Sequence, residues 1–174
     1  MTTEDAPAIL VCEPVAVARP GEQIRAALDG HGPILLANAR AIVRDEAEAQ
    51  DLVQTTLEIA LRRLDQLRDP EALRAWLLAI ETREAFRLLR RARRLLAFDS
   101  HVAETAVAGP NASHVALRIA LGHLPARTRA AIVLHHLAGL SVEETAVALG
   151  TKPNTVKTQL RDGLDRLRRE LDDG

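Results

Sequence analysis

Lys152, Asn154, Thr155, Lys157, Thr158 and Arg161 fall within ten residues near the C-terminal end of the chain. All are hydrogen-bond donors, and three of them are cations. Asn and Arg can pair bidentately with adenine and guanine edges, whereas Lys and Thr mostly grip phosphate. Val156 and Leu160, interleaved among them, are apolar and four residues apart, which is the spacing of an inward helix face. A second concentration of charge lies upstream, where Arg83, Arg87, Arg90, Arg91, Arg93 and Arg94 share twelve residues with a single acid, Glu84. Such a run neutralises phosphate and binds in a salt-dependent way; it serves equally as a solvated helix face. A third segment, Asp51-Leu52-Val53-Gln54, reads by itself as part of a core helix.

This inventory offers recognition rather than bond making. The sequence has no Gly-rich phosphate loop and no nucleophile–base set, so no enzyme is expected. Cys12 is the one cysteine and no Cys/His cluster has ligand spacing, so neither a metal nor a cofactor is expected. His123, His135 and His136 are assigned no role.

The recognition residues need helices to carry them, and the composition favours helix. Apolar residues are 47% of the 174, drawn chiefly from Ala, Leu and Val, with no Tyr, two Phe and one Trp. Ser141 with Glu144 three residues on predicts a capping box, and Gly150 a helix C-terminus. The segment Ser141–Arg161 therefore has the form of a helix-turn-helix, with Ala146 and Ala148 small enough for close packing of its two helices. Upstream, Ala49, Leu52, Val53, Leu57, Ala60, Leu61 and Leu64 form one apolar stripe on a helix over about 46–67. Asp69 and Pro70 open the next helix, which buries Leu73, Trp76, Leu77 and Ile80 and then turns basic. A first helical stretch, from Glu22 to about Arg44, is expected to break at Asp29-Gly30-His31-Gly32-Pro33.

Residues 96–114 lose the period and hold Gly109-Pro110-Asn111, so they read as a linker between domains. The expected fold is all-α: a flexible tail over 1–21, a helical domain over 22–95, a flexible linker over 96–114 and a helix-turn-helix domain over 115–174. Charge follows the same division, at −3 for 1–30, +2 for 31–95, −2 for 96–114 and +2 for 115–174. No apolar run reaches the roughly 20 residues needed to cross a bilayer. Glu4 and Asp5 stand where a signal peptide needs positive charge, so the expected location is the cytoplasm.

Taken in order, these segments resemble the extracytoplasmic-function (ECF) sigma factors of bacteria. Glu46 to Ile80 is similar to that family's core-binding region and the start of its promoter-melting region. Leu121 to Leu171 is similar to its C-terminal region, through Leu124-Pro125 with Arg129, Gly139-Leu140-Ser141, and Thr155-Val156-Lys157. The resemblance implies a transcription-initiation factor that binds core RNA polymerase and directs it to promoters. It implies that Asp51, Leu52 and Gln54 dock on the polymerase clamp helices. Arg83, Arg87, Arg90, Arg91 and Arg94 would bind the opened −10 strand, and Lys152 to Arg161 would read the −35 duplex. It also implies an anti-sigma partner; the lack of a long apolar run leads to the expectation of no membrane insertion.

Several positions depart from the family pattern. Thr55 and Thr56 follow Asp-Leu-Val-Gln in place of an acid, and Ile34-Leu35-Leu36-Ala37 lacks the usual aromatic. Arg83 and Arg87 replace the usual Asn and Asp, which weakens base-specific −10 recognition while keeping phosphate binding. Thr151 and Lys152 stand where a Ser often caps the recognition helix. Two other readings fit part of the sequence: an autonomous helix-turn-helix regulator, and a degenerate sigma-like protein that no longer opens promoters.

Overall fold

The computed structural model describes residues 20–96 and 112–172. Most of the expected tail and linker lie outside those residues; Pro20 and Gly21 belong to the first helix, Leu96 ends the third, and Ala112 to His114 open the fourth, so both expected segments were drawn too long. Among the described residues every regular element is helical. They are α1 (Pro20–Val43), α2 (Glu46–Arg62), α3 (Leu73–Leu96), α4 (Ala112–His123), α5 (Ala126–Ile132), α6 (Val142–Leu149) and α7 (Pro153–Asp172). Short 3-10 turns cover Leu64–Gln66 and Pro70–Ala72, and a π-helical turn, Val133–Leu137, extends α5.

The expected break in the first helix does not occur, because α1 runs through Pro33. Proline there removes one backbone donor. Beyond it, Leu35, Asn38, Ala39 and Ile42 recur at three- and four-residue steps and are all buried, which anchors the helix across the gap. Asp45 then caps α2 by accepting from the Glu48 N–H at 2.9 Å. The helix buries Ala49, Leu52, Thr56 and Ala60, and the Thr56 hydroxyl is satisfied by donating to Leu52 O at 2.8 Å. Two expectations for α2 need correction. It stops at Arg62 and passes into a 3-10 turn instead of reaching residue 67, and Leu61 is 46% exposed rather than part of the stripe.

Asp69 caps the next turn as expected, accepting from the Glu71 N–H at 2.9 Å. In α3, Leu77, Leu78 and Ile80 are buried, and Leu73 and Trp76 pack half-buried against them. Helices α1, α2 and α3 thus form one unit. In the second unit α7 packs on α4, α5 and α6. Gly163 permits the approach of α7 to α5, since a Cβ there would stand 2.6 Å from Ile132 Cδ1 and 2.7 Å from Thr128 Cγ2. The two units also touch each other, α3 against α6 and α1 against α5. Nothing in the hydrophobic pattern of the sequence predicted that contact.

Candidate nucleic-acid interface

The helix-turn-helix is built as its sequence specifies. Ser141 N–H donates to Glu144 Oε2 at 2.7 Å, and Glu144 N–H donates back to Ser141 Oγ at 3.1 Å, closing the capping box. Those bonds from Ser141 hold the Glu144 carboxyl below its ordinary range. Gly150 ends α6 in the left-handed region at φ 61°, where a Cβ would be strained. Thr151 N–H bonds to Ala146 O at 2.9 Å and Gly150 N–H to Val147 O at 3.3 Å, so the turn into α7 is fixed. Ala146, Ala148, Val156 and Leu160 are buried between the helices.

This packing turns the polar side of α7 outward. Lys152, Asn154, Thr155, Lys157, Thr158 and Arg161 are all exposed. The Thr158 hydroxyl donates to Asn154 O at 3.1 Å, and Arg161 Nε donates to Asp162 Oδ1 at 3.1 Å. None of these six side chains is enclosed by the fold.

In the first unit, Arg83, Arg87, Arg90, Arg91 and Arg94 are exposed along α3. Arg87, Arg90, Arg91 and Arg94 line one open depression. Arg87 Nε donates to Glu84 Oε2 at 2.6 Å. Arg83 is engaged across the units, donating to Val147 O of α6 at 3.1 Å. On α2, Asp51 and Gln54 face outward, while Leu52 is 1% exposed and belongs to the core. Leu52 is therefore no contact residue; it holds the helix that presents the other two.

Comparison with known proteins agrees with this arrangement. Residues 28–95 match Sigma-70 region 2, and residues 114–167 match Sigma-70 region 4. The chain is 31% identical over 135 residues to RNA polymerase sigma factor SigV of Bacillus subtilis, covering 76% of this chain and 81% of that protein. The chain belongs to the ECF RNA polymerase sigma factors. Another relative is ECF RNA polymerase sigma factor EcfG of Rhodopseudomonas palustris, 32% identical over 141 residues, with 78% and 77% of the two chains covered. Sigma factor RpoE of Bartonella quintana, solved in complex with the anti-sigma factor NepR, superposes with a TM-score of 0.79 at 28% identity. That match covers 87% of this chain and 98% of the other.

As a sigma factor the protein is a transcription-initiation factor that binds core RNA polymerase and directs it to promoters. The family is not enzymatic. Among the described residues no group of His, Cys, Asp and Glu is arranged to hold a metal, and no helix is long and apolar enough to cross a membrane.

Sequence reasoning gave no role to three arginines that position the sigma factor's surfaces. Arg129, 5% exposed, donates through Nη1 to the carbonyls of Leu121, Gly122 and Leu124 at 3.3, 3.0 and 3.2 Å. It ties the end of α4 to α5; burial, and secondarily the Arg44 charge, lowers its pKa to about 10. Arg127 donates to Leu149 O at 3.1 Å and lies 5.2 Å over the Phe86 ring of α3. Arg74 lies against Gly139, with Nη2 3.4 Å from where a Cβ would stand. Arg129 was visible in the Leu-Pro-x-x-x-Arg spacing. Arg127 carried no signal, because an arginine bound to a backbone carbonyl leaves no periodic trace, and the approach of Arg74 to Gly139 is equally silent in the sequence.

Proposed function

We propose that the two surfaces divide the promoter between them. The α7 face from Lys152 to Arg161 enters the major groove at the −35 element, with Asn154 and Arg161 toward base edges and Lys152, Thr155, Lys157 and Thr158 toward phosphate. Arg83, Arg87, Arg90, Arg91 and Arg94 hold the backbone of the opened −10 strand, and Asp51 and Gln54 meet core polymerase. The two units act as separate domains, 22–95 and 115–174, joined through 96–114. The protein works in the cytoplasm, and an anti-sigma factor restrains it, as NepR binds the Bartonella relative. The observation that carries this reading is the closed helix-turn-helix, whose buried Val156 and Leu160 leave the six polar side chains outward.

Replacing Lys157 and Arg161 together by Ala tests the recognition helix. Footprinting of the reconstituted holoenzyme should lose protection at −35, and transcription from −35-dependent promoters should fall about tenfold or more, at ~1–3 kcal/mol per base-reading pair. Polymerase binding should persist. Unchanged −35 protection would refute the assignment.

A further inference from the structure

We infer that Asn38 and Glu81 form a neutral acid–amide pair that clasps α1 to α3, and that rising pH opens the clasp and lowers initiation. Both side chains are fully buried, and Asn38 Nδ2 donates to Glu81 Oε2 at 2.7 Å. The second hydrogen of that nitrogen goes to Thr82 Oγ1 at 3.2 Å, so the amide has no further donor to give. Two buried acceptors, Asn38 Oδ1 and Glu81 Oε1, are then left with no donor to either. Each is the second polar atom of a planar group whose first polar atom already bonds the other group. A proton on Glu81 Oε1 pairs with Asn38 Oδ1 and satisfies both oxygens at once, each group donating once and accepting once. An ionised carboxyl leaves both oxygens bare.

No cation is placed to hold Glu81 ionised instead. Among the described residues, Glu81 and Arg129 are the only buried charged side chains, and Arg129 is bound to the carbonyls at the end of α4. Of the described titratable groups of α1, His31 lies beside Arg74, and Arg40 pairs with Glu46. On α3 itself Arg83 reaches the Val147 carbonyl and Arg87 pairs with Glu84. The residues that α2 and α6 bury include none with a charge. An isolated carboxyl in such surroundings keeps its proton rather than its charge, and burial pushes Glu81 up to about 8. Parting α1 from α3 returns the group to water, where it ionises near 4.5. The closed form is therefore fully favoured below about 4.5 and loses about tenfold per pH unit until about 8, above which both forms are ionised. Arg83 follows Glu81 by two residues, so the loosening falls on the helix that carries the basic face.

Glu81→Gln makes the neutral pair permanent, since its amide donates to Asn38 Oδ1 and accepts from Asn38 Nδ2. Hydrogen exchange on the full chain reads the opening of α1, with wild type and variant compared at the same pH. From about pH 6 to about pH 8, opening of the wild type should rise about tenfold or more relative to the variant. Run-off transcription with core polymerase should follow, the wild type losing severalfold against Glu81→Gln over the same range. The polymerase's own pH dependence cancels in that ratio. Carbon-13 spectra of the wild-type chain need no variant, and one glutamate carboxyl should titrate near pH 8. Glutamates that all titrate in their ordinary range overturn the clasp, as does an exchange ratio that stays constant with pH. A constant transcription ratio beside a moving exchange ratio overturns its effect on initiation.

Discussion

Glu81 is fully buried between α1 and α3, where its Oε2 accepts from Asn38 Nδ2 at 2.7 Å. Asn38 Nδ2 also donates to Thr82 Oγ1 at 3.2 Å. Burial is the main cause that pushes the Glu81 carboxyl up to about 8, against a smaller downward effect of the Asn38 bond. The folded chain therefore keeps this proton up to about pH 8, whereas an unfolded carboxyl loses it near its ordinary value of 4.5. Between those limits the native state binds more protons, so stability is full at the acid end and falls as pH rises, by up to about 1.4 kcal/mol per pH unit. Urea unfolding from pH 5 to 9 should show that decline, and Glu81→Gln should flatten it. A profile unchanged by the substitution would mean that Glu81 does not hold the proton. The sequence concealed this residue. It lies four residues after the buried Leu77, at core spacing, but a carboxylate there reads as solvent-facing until its partner 43 residues earlier is known.

Element ends were the most legible part of the chain, because capping chemistry is local. Asp69, Ser141 with Glu144, and Gly150 each do what their spacing predicts. Ser141→Ala should lower stability by about 1 kcal/mol in denaturant unfolding, because the Glu144 N–H loses its Oγ acceptor while the backbone N–H of residue 141 keeps its bond to the Glu144 carboxylate. Element interiors were less legible where tertiary packing overrides local preference. Pro33 and its neighbouring glycines predicted a break that the buried face of α1 overrides, and Leu61 followed the stripe period yet stands exposed because α2 ends one residue later. The π-helical turn at Val133–Leu137 had no sequence sign. Gly163 also went unread, since a glycine within a helix looks like a weakness rather than a fit. Gly163→Ala should gain about 1 kcal/mol of helix propensity and lose more to crowding against Ile132 and Thr128, for a net loss of about 1 kcal/mol. Thermal unfolding measures the sign, and a stabilised variant would show that α5 yields easily.

At the scale of the whole molecule, the near-neutral charge of −1 conceals two basic blocks, and each falls on its own helical unit. The candidate recognition residues were legible because the helix-turn-helix is continuous in sequence. The contact between the units was not, since it joins residues such as Arg83 and Val147, 64 apart, through a main-chain carbonyl. Arg83 stands among the candidate DNA contacts and also has a partner across the units, the Val147 carbonyl. We propose that this chain carries both promoter-reading surfaces and needs only core polymerase to use them. The most direct test mixes the protein with bacterial core RNA polymerase and genomic DNA fragments and sequences the 5′ ends of the transcripts. Discrete starts preceded by two shared elements, at about −10 and −35, are the predicted result. Polymerase binding with no discrete starts would contradict it.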